Sequence, residues 1–137
     1  MSGPFRNLRV IDFTHVLAGP ACSYYLGLMG AEVVKVESAG RGDAMRHRGG
    51  SDKVAASRGM STAYQTQGAG KSSIELDLGT AEGAETMRAL LASADVFVEN
   101  HLPETMSRLN LTWDDVHALN PRLIHCAMTG YGRGGPL

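Results

Sequence analysis

A chain of 137 residues with 43% hydrophobic residues has room for one core of ordinary size. Thirteen Lys and Arg against fourteen Asp and Glu leave a net charge of −1, so no overall basic field argues for nucleic acid or an anionic membrane surface. The opening MSGPFRNLRV lacks the apolar segment of a signal peptide, and no apolar run reaches the ~18 residues that cross a bilayer, which together point to a cytoplasmic protein.

The stretch from Leu8 to Glu37 reads as a complete strand, loop, helix and strand. Val10, Ile11 and Phe13 form one run of β-branched and aromatic residues and Val33, Val34 and Val36 another, as a buried parallel sheet requires. Pro20 suits a first helical position, and Gly30 suits the left-handed residue just past the helix end. Cys22 falls inside this helix and Cys126 inside a later strand, as expected of reduced core thiols. Thr14 to Gly19 is then the loop at the carboxyl end of the first strand, where open α/β sheets bind ligands.

Ser38 to Gly70 is rich in Gly, Ser, Arg and Ala with no sustained period, and is expected to be a long irregular excursion that is either functional or disordered. Ser73 to Leu78 alternates strictly as a half-buried strand, and Thr80 caps a helix that turns Ala84, Met87, Leu90 and Leu91 inward. Asp95 to Val98 is a short apolar strand delivering Glu99, Asn100 and His101 to its carboxyl end. Pro103 opens a short helix through Arg108, and Thr112 with Asp115 has capping-box spacing at the start of another that ends at Asn120-Pro121. Leu123 to Met128 is the last strand. The alternation predicts a Rossmann-like α/β fold, an open, mostly parallel sheet with helices on both faces. The Gly-rich stretch from Gly130 to Leu137 reads as a turn toward a further element, so residues 1–137 are expected to be the N-terminal part of a larger domain.

In such a sheet the segments Thr14–Gly19, Glu37–Asp43, Glu99–His101 and Thr129–Gly132 share one edge. They bring His15, Glu37, Asp43, Asn100, His101, Thr129 and Tyr131 near one another, with Arg41, Arg46, Arg48 and Arg108 as candidate cations, a set that fits an extended anionic ligand. Two other phosphate sites fail on spacing. Gly68 to Ser72 ends like a Walker A loop, but Gln65 stands where its first glycine belongs and a strand follows instead of a helix. Glu37 stands where an acidic residue meets a dinucleotide ribose, yet Gly19-Pro20 replaces the Gly-x-Gly-x-x-Gly turn. The five histidines show no metal-ligand spacing, so no metal is expected.

Thr14-His15-Val16-Leu17-Ala18-Gly19-Pro20, the run Gly30 to Glu37 with Gly42-Asp43, Lys71 to Asp77, Val98-Glu99-Asn100 with Pro103 and Arg108, and Asn120 to Ile124 together resemble the class III CoA-transferases. That family includes formyl-CoA transferase, carnitine CoA-transferases and the α-methylacyl-CoA racemases. The resemblance implies coenzyme A (CoA) lying across the strand ends, with His15, Val16, Ala18, Leu76, Asn100, His101, Arg108 and Tyr131 as its contacts. It also implies an interlocked homodimer, acyl-CoA and carboxylic acid substrates, and transfer of CoA through an aspartyl intermediate whose aspartate lies beyond Leu137. By the same resemblance Leu17 replaces the Gln of oxalate-using members, and Ser72 and Ser38 replace two basic residues. The alternatives are a racemase or epimerase of 2-methylacyl-CoA, and a CoA-binding fragment without catalysis.

Overall fold

The computed structural model describes residues 3–132 and Gly134. Five strands, β1 (Arg9–Phe13), β2 (Glu32–Ser38), β3 (Ser72–Leu76), β4 (Val96–Glu99) and β5 (Ile124–Ala127), form one sheet in the order β3-β2-β1-β4-β5. Every pairing is parallel, so the sheet is wholly parallel where mostly parallel was expected. The chain winds outward from the central β1 through β2 to β3, then crosses back to β4 on the other flank. The loops that follow β1 and β4 therefore part at the sheet's topological switch point.

One face carries α1 (Ala18–Leu28), which covers Val10, Val33, Val96 and Val98 with Cys22 and Leu26. The other carries α4 (Ala81–Ala92), α5 (Pro103–Arg108) and α6 (Trp113–Leu119), whose Met87, Leu91, Met106 and Val116 pack on Ile11, Phe13, Val36 and Phe97. Each helix is bounded by chemistry visible in the sequence. Thr80 accepts from the Gly83 amide, and Thr112 and Asp115 close a full capping box. The Asn120 amide donates to the Leu91 and Ala94 carbonyls at 3.0 and 2.9 Å, tying the end of α6 to the end of α4.

Three boundaries differ from expectation by more than one residue. The first helix begins at Ala18, so Pro20 is its third residue. That position costs nothing either, because the first turn's N–H groups have no partner within the helix. Gly30 does take the left-handed conformation after it, at φ 104°. Second, β3 stops at Leu76 because the Asp77 carboxylate turns back to accept the Gly79 amide at 2.9 Å.

The third is the largest: the excursion expected to be irregular at 38–70 contains a 3-10 turn (Ala44–Arg46) and two helices, α2 (Lys53–Ser57) and α3 (Thr62–Gly68). Each is capped by its own preceding side chain, Asp43 to Met45 N, Asp52 to Ala55 N and Ser61 to Tyr64 N. Segments of one or two turns are too short to show a 3.6-residue period, so only their caps mark them.

Candidate functional site

The carboxyl edge of the sheet rests on a layer of buried charge beneath the excursion, on the α1 face. Lys35, with its side chain 2% exposed, pairs with Asp43 at 3.0 Å and donates to the Thr14 carbonyl at 2.8 Å. Lys71 pairs with Asp12 at 2.8 Å and donates to the Pro20 carbonyl and the Ser23 hydroxyl. Burial pushes the Lys71 ammonium below its usual range, and the Asp12 carboxylate opposes that shift. Lys71 is thus buried against α1, as far from a Walker lysine's role as the spacing argument required.

Glu37 is the third anchor. Its carboxylate accepts both arms of the Arg46 guanidinium at 2.7 Å, the Tyr64 hydroxyl at 2.8 Å and the Asp43 amide at 2.7 Å. Burial alone would raise this carboxyl, but the bonds from Arg46, Tyr64 and Asp43 outweigh it and hold it below the usual glutamate range. Burial and the bond to Glu37 push the Tyr64 phenol well above its usual value, while Arg46 also lies over the Tyr64 ring at 4.1 Å.

These ties fix the loop after β1. Thr14 bonds through its amide and hydroxyl to the Asp12 carboxylate. The Asn100 side chain reaches across from the β4 end, accepting from the His15 amide at 3.0 Å and donating to the His15 carbonyl at 2.9 Å. Val16 then takes φ 69°, a conformation costly for a β-branched residue and held here by its fixed neighbours.

On the opposite face, over the ends of β2, β3 and β4, opens a cleft of about 470 Å³. Phe13, Glu37, Ser38, Ala39 and Arg41 line one side, Leu76 to Leu78 another, and His101, Thr105, Arg108 and Leu109 the third. Neither Arg41 nor Arg108 has a carboxylate within ion-pairing distance among the described residues. The negative charge of Glu37 is already matched by Arg46, and Asp77 accepts from Gly79. A cleft walled by apolar side chains and two guanidinium groups without carboxylate partners suits a ligand that is part apolar and part anionic.

The residues expected to form the site divide accordingly. Leu76, His101 and Arg108 line the cleft, and His15 touches it through the His101 ring, 4.8 Å between centroids. Asn100 lies behind His15 with both ends of its amide bound to that residue's peptide. Val16 faces a separate small cavity on the α1 face, shared with Pro20, Lys35 and Asp43. Ala18 opens α1 at the surface, and Tyr131 is 81% exposed beyond β5; neither is among the cleft's lining residues. Of the convergence expected at this edge, Glu37 and Asp43 serve as buried anchors, and Thr129 lies by a different hollow with Trp113, His125 and Gly132. Phe13, Thr105 and Leu109 were missed. For Thr105 a signal existed, since it stands three residues before Arg108 and so on the same side of the helix.

With this geometry in view, the comparisons are specific. The family model of CoA-transferase family III matches residues 5–137, and the chain belongs to that family. It is 38% identical over 138 residues to the human succinyl-CoA:glutarate CoA-transferase, covering 98% of this chain and 30% of that protein. To the formyl-CoA:oxalate CoA-transferase of Escherichia coli it is 37% identical over 137 residues, 99% of this chain and 32% of the relative. The crystal structure of a CAIB/BAIF family protein from Brucella suis superposes with a TM-score of 0.89 at 34% identity, covering 99% of this chain and 36% of that one. The chain therefore spans about a third of the length of the curated relatives it matches.

Proposed function

We propose that this chain is the CoA-binding, N-terminal part of an enzyme that moves CoA between an acyl-CoA and a carboxylic acid. The observation that carries the reading is the cleft at the carboxyl edge, where Arg41 and Arg108 stand beside Leu76 and His101 with no carboxylate partner among the described residues. Support comes also from the family and from relatives named for transfer between acyl-CoA and dicarboxylates. In this reading the phosphates of CoA lie against the two guanidinium groups, and the pantetheine arm runs toward His15, held in place by Asn100.

In this reading an aspartate attacks the thioester carbonyl and expels the CoA thiolate, leaving a mixed anhydride. The thiolate then attacks the aspartyl carbonyl, releasing the donor acid and giving an aspartyl thioester, and the acceptor carboxylate runs the same two steps in reverse to leave as its CoA thioester with the aspartate restored. The carboxylates within the strand-end layer do not suit that role. Asp12, Glu37 and Asp43 are buried in ion pairs with Lys71, Arg46 and Lys35, and the fully buried Glu99 accepts the His101 amide at 2.9 Å. We therefore place the nucleophile beyond Leu137, in an interlocked homodimer, and expect these 137 residues by themselves to bind CoA without turning it over.

Calorimetric titration of the chain with CoA tests the assignment. Loss of one charge-assisted contact to phosphate in Arg108→Ala should weaken binding by about tenfold or more. Equal affinity of the variant and the parent chain would refute it. New thioesters formed by the chain from an acyl-CoA and carboxylic acids, detected by mass spectrometry, would refute the placement of the nucleophile.

A further inference from the structure

Resting on the CoA reading, we propose that His101 is a proton-linked ligand contact, neutral in the empty cleft and charged when a phosphate-bearing ligand occupies it. The residue lines the cleft together with the apolar Phe13, Leu76 and Leu109 and with Arg41 and Arg108. Its ring packs on Phe13 at 4.1 Å and on His15 at 4.8 Å. An imidazole has two nitrogens, either of which can bond a ligand that enters the cleft.

The charged neighbours come from every element packed around it. His15 follows β1, Glu99 ends β4, Lys35 and Glu37 belong to β2, Arg41 follows β2, Asp77 follows β3, and Arg108 ends α5. Burial lowers the His101 pKa, with the nearby His15 adding to the effect and Glu99 opposing it. Glu37 is neutralised by Arg46, so without a ligand the surroundings favour the uncharged ring. A phosphate reverses the balance, because it brings negative charge against an imidazole that lines the cleft and is able to gain a proton near neutrality. The step is a proton taken from solvent onto the unprotonated ring nitrogen, with no covalent bond made or broken.

Binding should therefore take up protons and tighten as the pH falls. CoA's terminal phosphate titrates in the same range, so the probe pair is CoA and 3′-dephospho-CoA, whose diphosphate does not. Between about pH 8 and about pH 6, calorimetry on the chain should show affinity for 3′-dephospho-CoA rising by about five- to tenfold. In His101→Phe, which keeps an aromatic ring on Phe13, affinity for that ligand should not change with pH. Should the variant fail to fold, proton NMR of the His101 ring in the unmutated chain gives the same answer, since its titration should move to higher pH when 3′-dephospho-CoA is added. Equal pH dependence in the parent and the Phe variant, or an unmoved ring titration, would overturn the inference while leaving the CoA reading intact. Absence of binding to either ligand at both pH values would overturn the two together.

Discussion

Replacing Lys35 by Met keeps the length and apolar stem of the side chain and removes only the ammonium. In this structure that single change strands the Asp43 carboxylate, since both side chains of the pair are 2% exposed. Asp43 would retain the Met45 amide at 2.8 Å and the Val16 amide at 3.5 Å, and the Thr14 carbonyl would lose its donor. Breaking a buried pair on one side costs about 3–5 kcal/mol, because the remaining charge stays buried. Removing the second charge should restore much of this. Lys35→Met with Asp43→Asn keeps an acceptor for the Met45 amide and leaves no ion in the interior, so the double variant should lie only about 1–2 kcal/mol below the parent. Arg9 and Glu32 form the control, an ion pair at 2.9 Å with side chains 42% and 57% exposed, for which Arg9→Ala should cost under about 1 kcal/mol. Urea unfolding followed by circular dichroism gives all three values. A Lys35→Met variant no less stable than Arg9→Ala, or a double variant as unstable as the single, would refute the claim that buried charge holds the excursion to the sheet.

The Glu37 carboxyl titrates below its unfolded value of 4.5, so the unfolded chain binds more protons between the two values, and the tie stabilises fully above the ordinary glutamate range and is lost as pH falls through the folded value. Urea midpoints measured from about pH 7 to about pH 3 should show the gap between the parent and Arg46→Ala closing in acid; a constant gap would contradict this. Asn100→Ala should cost about 1–2 kcal/mol through two lost bonds to the His15 peptide. Amide exchange should quicken at His15 and Val16 while β5 stays protected, and uniform quickening across the sheet would count against a local clamp. Arg108→Ala and His101→Phe should separate in calorimetry with 3′-dephospho-CoA, the first weakening binding at every pH and the second weakening it only in acid.

The strands, their alternation with helices and the caps at Thr80 and Thr112 were legible because each has a local signature. Val33, Val36 and Phe97 sit in apolar runs, and Thr80 and Thr112 stand where a helix must start. The buried charges had no such signature. Lys35 interrupts Val33-Val34-Lys35-Val36-Glu37, and a parallel strand buried on both faces has no solvent for a lysine, so the residue itself was a clue that a carboxylate would be found against it. What the sequence could not supply was the partner, since Asp43 and Arg46 come from the segment whose turns are too short to show a period, and Lys71 from the residue just before β3. Nor did the sequence show that the Asn100 amide, expected from the resemblance to contact CoA, bonds both polar groups of the His15 peptide 85 residues earlier.

The pairing of Asp12 with Lys71, 59 residues apart, bears on the order in which this chain acquires structure. As synthesis proceeds, β1, α1 and β2 are complete by Ser38, and their local contacts would let them assemble at once. Yet the face they would close over carries Asp12, Lys35 and Glu37. The counterions for the last two arrive with Asp43 and Arg46, and the one for Asp12 only with Lys71. Until Lys71 is available, closing α1 over Asp12 would bury an uncompensated carboxylate, so the nascent unit should remain loosely docked and hydrated. Commitment should come with β3, when Lys71 slides beneath α1 and the remaining strands have a finished edge on which to add.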